Sequence, residues 1–262
     1  MIHFPPVSAS LLVVSPVIGS FMGVLAWRLP EGRSPWFTRS RCPVCNAVLS
    51  ARELVPLVSY ALQKGKCRQC AASIDPFHPI IEFGALAVAG SADLAVHAHG
   101  FVASPVSPIL QGCVFGWVLL LLAALDFRSM TLPDTLTQPL LAVGLILAAL
   151  QGKAVFHIHA LTALLAWMIF AAIAMLYRWL RGRDGLGGGD AKLLAAGGGW
   201  LGPMLMPEII LFAALATLAG AALNALVRGQ SLNASKRIPF GPGLALALWG
   251  GWLCQTAGWP FG

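Results

Sequence analysis

Eight apolar runs, most of them long enough to cross a bilayer, follow one another along this chain of 262 residues and decide what it can fold into. A helical span needs about 20 predominantly apolar residues. The runs near 8–27, 79–97, 106–125, 135–151, 158–179, 190–204, 207–227 and 240–257 meet that need, the sixth being short. Charged residues make up only 10% of the chain and the mean hydropathy is +0.78. A soluble domain carries roughly a quarter charged residues, so lipid is the main solvent here. The expected fold class is an all-α membrane protein with about eight transmembrane helices. Pro16, Pro139 and the glycines at 197–199 are compatible with spans where neighbouring helices cover the freed backbone groups. The first run lacks a basic leading segment and ends in Trp27-Arg28-Leu29-Pro30, so it reads as a retained span.

The formal charge of +7 does not indicate nucleic acid, because no basic helix is interleaved with aromatic residues. Instead the cations mark topology. Residues 28–76 hold Arg28, Arg33, Arg39, Arg41, Arg52, Lys64, Lys66 and Arg68; further along come Arg128, then Arg178, Arg181, Arg183 and Lys192, then Arg228, Lys236 and Arg237. With eight spans these sixteen of seventeen cations share one side, and only Lys153 falls on the other. That crowded side is expected to be cytoplasmic, with both termini outside. The domain reading is a first transmembrane helix (1–27), a small cytoplasmic insert (28–77) and a transmembrane domain (78–262). No internal repeat is evident.

Within the insert, Cys42-Pro-Val-Cys45 and Cys67-Arg-Gln-Cys70 form two CxxC knuckles separated by 21 residues. Two such turns close a tetrahedral thiolate site of the zinc-ribbon kind. Two disulfides are the rival reading, but a cytoplasmic location opposes them. With all four positions taken by sulfur the zinc is structural, holding together a segment too small for its own core. Cys113 and Cys254 lie inside apolar runs and read as small apolar residues.

Three carboxylates fall at the expected cytoplasmic boundary: Asp126 ending the third run, Asp134 opening the fourth, and Asp190 after Gly187-Gly188-Gly189. A carboxylate in or beside a span is costly and calls for a role. Asp134, after a proline at a helix start, also fits a helix cap. The glycines before Asp190 suggest close backbone approach, as by a substrate strand; no strand precedes them, so they are not a dinucleotide fingerprint. Two carboxylates close together share one proton, so that one acts as general base toward water while the other polarises a carbonyl. Glu82, Asp93 and Glu208 lack a partner of this kind, Glu82 being the closest of them to the boundary. A transporter or channel using Asp126 and Asp190 as a proton or ion relay is the alternative, though no repeated half supports it.

Several stretches taken in order resemble one family: Gly19-Ser20-Phe21, Arg28-Leu29-Pro30, Cys42-Pro43-Val44-Cys45, Pro56-Leu57-Val58-Ser59-Tyr60, Gly65-Lys66-Cys67-Arg68, the stretch from Asp126 to Asp134, Gly187-Gly188-Gly189-Asp190-Ala191-Lys192 as a GxGDxK signature, and Pro239-Phe240-Gly241-Pro242. Together they are similar to the type IV prepilin peptidases, bifunctional leader peptidase/N-methyltransferases of the GxGD aspartyl protease group. The resemblance implies that Asp126 and Asp190 are the catalytic pair, with Asp134 supporting. Lys192 would tune the pair or contact substrate, or simply snorkel. It implies a prepilin or pseudopilin substrate of type IV pili or type II secretion, cut on the cytoplasmic side of a bacterial inner membrane after a glycine. The new N-terminus would then be methylated from S-adenosylmethionine. The basic loops would meet anionic lipid headgroups rather than a basic leader. The chain departs from the family pattern at Gly23, where Asn is common, and at Phe77-His78, where Arg-Tyr is usual; both lie in the region the resemblance links to methylation.

Overall fold

The computed structural model describes residues 6–34, 39–99, 106–182, 187–229 and 238–258; Arg183, Lys236 and Arg237, which enter the charge count, lie outside the described residues. Long helices occupy the eight expected places: α1 (Pro6–Arg28), α3 (Phe77–His99), α4 (Pro108–Ser129), α5 (Asp134–Gln151), α6 (Lys153–Arg181), α7 (Gly188–Leu201), α8 (Met206–Arg228) and α9 (Gly241–Thr256), with a short α2 (Val58–Leu62) in the insert. No strand occurs among the described residues, only isolated bridges. The chain is an all-α, multi-pass membrane protein.

Six of these helices, α1, α3, α4, α5, α6 and α8, are long and apolar enough to cross a membrane. The other two expected spans are shorter than that. α7 has 14 residues and α9 has 16, about 21 and 24 Å at 1.5 Å per residue, against a hydrocarbon core of about 30 Å. A second correction concerns residues 152–157, read as a loop: only Gly152, with φ 134°, separates α5 from α6.

The chain divides into two compact units, Met1–Leu94 with Val106–Leu121, and Ala95–Pro105 with Leu122–Gly262. In the first unit, Gly19 lets α1 and α3 touch backbone to backbone, since a Cβ there would stand 2.6 Å from the Glu82 Cα. Trp117 of α4 donates its indole N–H to the Ala85 carbonyl of α3 at 3.0 Å, giving a buried polar group its partner. The departures noted at Gly23 and His78 meet each other, a Cβ on Gly23 falling 2.8 Å from the His78 Nδ1. The missing side chain is the space the imidazole fills.

In the second unit α7 is the hub, packing against α5, α6 and α9. Ten of its fourteen residues are buried. Consecutive helical residues point about 100° apart, and the three glycines exploit this. Gly197 meets Leu248 of α9, Gly198 meets Thr162 and Ala163 of α6, and Gly199 meets Leu141 of α5. Such small residues allow close helix approach where no hydrophobic force drives association in lipid. A helix wrapped by protein on several sides need not match the bilayer thickness, which explains its length. α6 and α8, by contrast, leave long apolar side chains such as Leu161, Ile169, Phe212 and Leu223 uncovered, as lipid-facing helices do.

Candidate active site and metal centre

The two sequence-predicted aspartates are brought together. Asp126 sits in the last turn of α4 and Asp190 is the third residue of α7, both inside the second unit. Each is buried, at 6% and 7% exposure, and the Asp126 carboxylate is near enough to act on Asp190 through its charge. The Asp190 carboxylate also reaches back to the backbone of Gly187, the residue capping its own helix. Two buried carboxylates in mutual electrostatic contact are the arrangement in which a proton is shared.

What holds the pair comes largely from outside the aspartates. The backbone N–H of Gly241, the first residue of α9, donates to Asp126 Oδ2 at 2.8 Å. Any side chain at 241 would collide with the carboxylate, since a Cβ would lie 2.7 Å from Oδ2. Reading the residues alone gave Gly241 no role; its signal was the Pro-Phe-Gly-Pro stretch before the last apolar run. The approach expected at the glycines before Asp190 also differs from expectation. Gly189 is approached by the chain itself, a Cβ there falling 2.7 Å from the Leu132 Cβ, whereas Gly188 faces open space.

Asp134 is not the cap of α5, a place held by Pro133. Both its carboxylate oxygens receive the Lys192 ammonium, at 2.6 and 2.8 Å. Lys192 thus neither snorkels freely nor reaches the aspartate pair. Glu82, read as lacking a second carboxylate beside it, is buried and accepts the Leu57 N–H at 2.7 Å.

The four cysteine thiols of the insert gather within 4.8 Å of one another. Cys42 and Cys70 sulfurs are 3.8 Å apart, and those of Cys45 and Cys67 4.0 Å, all four being free thiols. Sulfurs about 2.3 Å from a tetrahedral centre lie about 3.8 Å from each other, so the cluster has the dimensions of a four-thiolate metal site. The knuckles repeat one hydrogen-bond pattern, which the sequence reading missed. Cys42 N–H donates to the Ala47 carbonyl and Asn46 N–H to that of Cys42; Cys67 donates to Ala72 and Ala71 to Cys67. Asn46 and Ala71 both take φ of 57° to close these turns. Backbone N–H groups of Cys45 and Val44 pull the Cys42 thiol down to about 6, favouring the thiolate a metal requires. Among the described residues of 29–76 only Cys42 and Cys67 are buried. The insert has no hydrophobic core, and a metal is what its fold calls for.

Comparison with known proteins follows the same division. Residues 13–95 match the Bacterial Peptidase A24 N-terminal domain, and residues 113–223 match the Type IV leader peptidase family. A protein named prepilin leader peptidase/N-methyltransferase from Aeromonas salmonicida is 34% identical over 91% of this chain and 88% of its own length. The chain belongs to the type IV leader peptidase family. Family members of the same name from Burkholderia pseudomallei (34% identical, 90% of this chain and 82% of the relative) and Klebsiella pneumoniae (33%, 80% and 92%) are similar along most of their lengths. No solved structure gives a significant match. For this family member the second matched segment spans both Asp126 and Asp190, and the first contains all four insert cysteines.

Proposed function

We propose that this chain is a membrane aspartyl endopeptidase that removes the leader from prepilins or pseudopilins and then methylates the new N-terminal amine. The observation that carries the reading is the buried pair Asp126–Asp190, within reach of each other's charge and anchored by the Gly241 N–H. In this reading one carboxylate takes a proton from water as its oxygen attacks the carbonyl carbon of the glycine before the scissile bond. The other, protonated, donates to that carbonyl oxygen. When the tetrahedral species collapses, the C–N bond breaks and the amine leaves with a proton from the pair.

S-adenosylmethionine supplies the methyl group for the second activity, in keeping with the names of the relatives. No residues are assigned to hold it. The thiolate cluster is read as structural zinc bound by Cys42, Cys45, Cys67 and Cys70. The cation distribution supports a bacterial inner membrane location with the insert in the cytoplasm and both termini outside.

The test is cleavage of a purified prepilin in detergent by wild type, Asp126→Asn and Asp190→Asn, with the mature N-terminus read by mass spectrometry. Each Asn variant is expected to fold and leave the substrate uncut, while wild type yields a product about 14 Da heavier when methyl donor is present. Cleavage by both variants would sink the dyad and bring the proton- or ion-relay reading forward.

A further inference from the structure

Residues 51–62, between the two knuckles, are pinned to the membrane helices of their own unit. Leu57 donates its N–H to Glu82, which stands five residues into α3, about 7.5 Å along its axis. Gly19 of α1 packs on the same Glu82. A 3-10 turn (Ala51–Leu54) and α2 flank Leu57, so both are held beside the N-terminal turns of α3, a helix long and apolar enough to cross a membrane.

What this segment presents there is amphipathic. Leu54 and Val55 are each 44% exposed, Val58 54% and Leu62 78%, with no protein over them. Beside them is a concavity of about 410 Å³ whose lining sets Arg52, Lys66 and Arg68 against one carboxylate, Glu53, and reaches Cys67. Glu53 is the one carboxylate of that lining, and all three carboxylates between 28 and 77 have partners other than these cations. Glu31 pairs with Arg33 at 3.0 Å, Glu53 accepts the Ser50 N–H and hydroxyl, and Asp75 accepts the Phe77 N–H. Among the described residues no side-chain hydrogen bond or ion pair holds the charged ends of Arg52, Lys66 or Arg68. Arg68 feels Glu53 only as a nearby charge.

We infer that this concavity binds the phosphate of an anionic phospholipid headgroup, with the exposed apolar residues seated at the acyl boundary. Three cations beside an apolar rim at bilayer level are what such a headgroup recognises, and headgroups are the anions most concentrated there. Neutralising the thiolate cluster is a role open to Lys66 and Arg68, which flank Cys67, but Arg52 adjoins no cysteine. The inference is independent of the peptidase reading.

The experiment uses the full chain in detergent, with phosphatidylglycerol or phosphatidylcholine added and retained lipid counted by native mass spectrometry. Phosphatidylglycerol is expected to be retained preferentially, and Arg52→Gln and Arg68→Gln to weaken it about fivefold each, at unchanged metal content; Arg52→Lys should restore it. In wild type, a photoreactive phosphatidylglycerol should crosslink within 51–68, a result needing no variant. Equal retention by wild type and variants, or crosslinks confined to other segments, overturns the inference. Displacement by millimolar inorganic phosphate overturns it too, assigning the concavity to a soluble anion.

Discussion

Lys192 grips both oxygens of Asp134, at 2.6 and 2.8 Å, joining the first turns of α7 and α5 across 58 residues of sequence. Asp190 lies two residues before this ion pair and one residue after Gly189, which rests on Leu132. The catalytic candidate on α7 is thus bracketed by two contacts to the connection that leaves Asp126. Both partners of the pair are partly exposed, at 40% and 50%, so its direct worth to stability is about 0.2–1 kcal/mol. Its larger effect is expected on geometry, where a misplacement of about 1 Å can cost about 10²-fold in rate. Lys192→Met and Asp134→Asn should each lower kcat by about tenfold or more with KM nearly unchanged, and the exchange Asp134→Lys/Lys192→Asp should recover part of the loss. Steady-state cleavage kinetics check this; wild-type kcat in both single variants would reduce the pair to a surface contact.

The glycines around the pair should differ sharply in tolerance. Gly241→Ala drives a methyl into the Asp126 carboxylate, and Gly189→Ala drives one into Leu132, whereas Gly188→Ala meets nothing within 4 Å. Overpacking of this kind costs about 1–3 kcal/mol. Thermal unfolding in detergent should fall for Gly189→Ala, and cleavage should be nearly abolished for Gly241→Ala. Gly188→Ala should unfold like wild type, and any loss of activity there would report crowding of substrate.

Removing metal should unfold the insert alone. With only Cys42 and Cys67 buried among its described residues, the segment has little besides the Leu57–Glu82 hydrogen bond to hold it, while the long helices keep their own packing. Chelation, or Cys42→Ser with Cys45→Ser, should leave far-ultraviolet helicity almost unchanged but open 39–76 to limited proteolysis. An insert that stays protease-resistant without metal would refute the reading.

Leu57 is strained, and Glu82 holds it so. Its φ of 61° and ψ of −49°, with Val58 N–H donating to the Pro56 carbonyl at 2.6 Å, describe the rare γ-turn. Glu82→Ala leaves the Leu57 N–H without its acceptor, a loss of about 1–3 kcal/mol. Leu57→Gly should relieve the strain and be tolerated, and protease sensitivity near residue 57 measures both.

Acid should loosen the 3-10 turn first. The Ser50 N–H and hydroxyl hold the Glu53 carboxyl below its ordinary 4.5, with Arg68 adding to the effect. A depressed folded value means that the stabilisation is fully present above 4.5 and is lost as pH falls through the lower folded value. Hydrogen-exchange protection factors at Ser50 and Glu53 should therefore fall as pH drops below the ordinary carboxylate range, and Glu53→Gln should remove the pH dependence.

The sequence by itself determined the solvent, the helix positions and the two CxxC knuckles, because hydropathy, span length and metal-ligand spacing are local properties; it nominated the aspartate pair through its resemblance to a family. It marked the sixth run as short but gave no reason for it. An alanine- and glycine-rich run such as 190–204 is as apolar as a lipid-facing one, and only packing shows that Gly197, Gly198 and Gly199 face three different helices. The tertiary structure alone decided who contacts whom across long separations: Gly241 with Asp126, 115 residues apart, Lys192 with Asp134, and Glu82 with Leu57. Backbone N–H groups and glycines carry no side-chain signature, so their part in holding a carboxylate becomes visible only once the chain has folded back on itself.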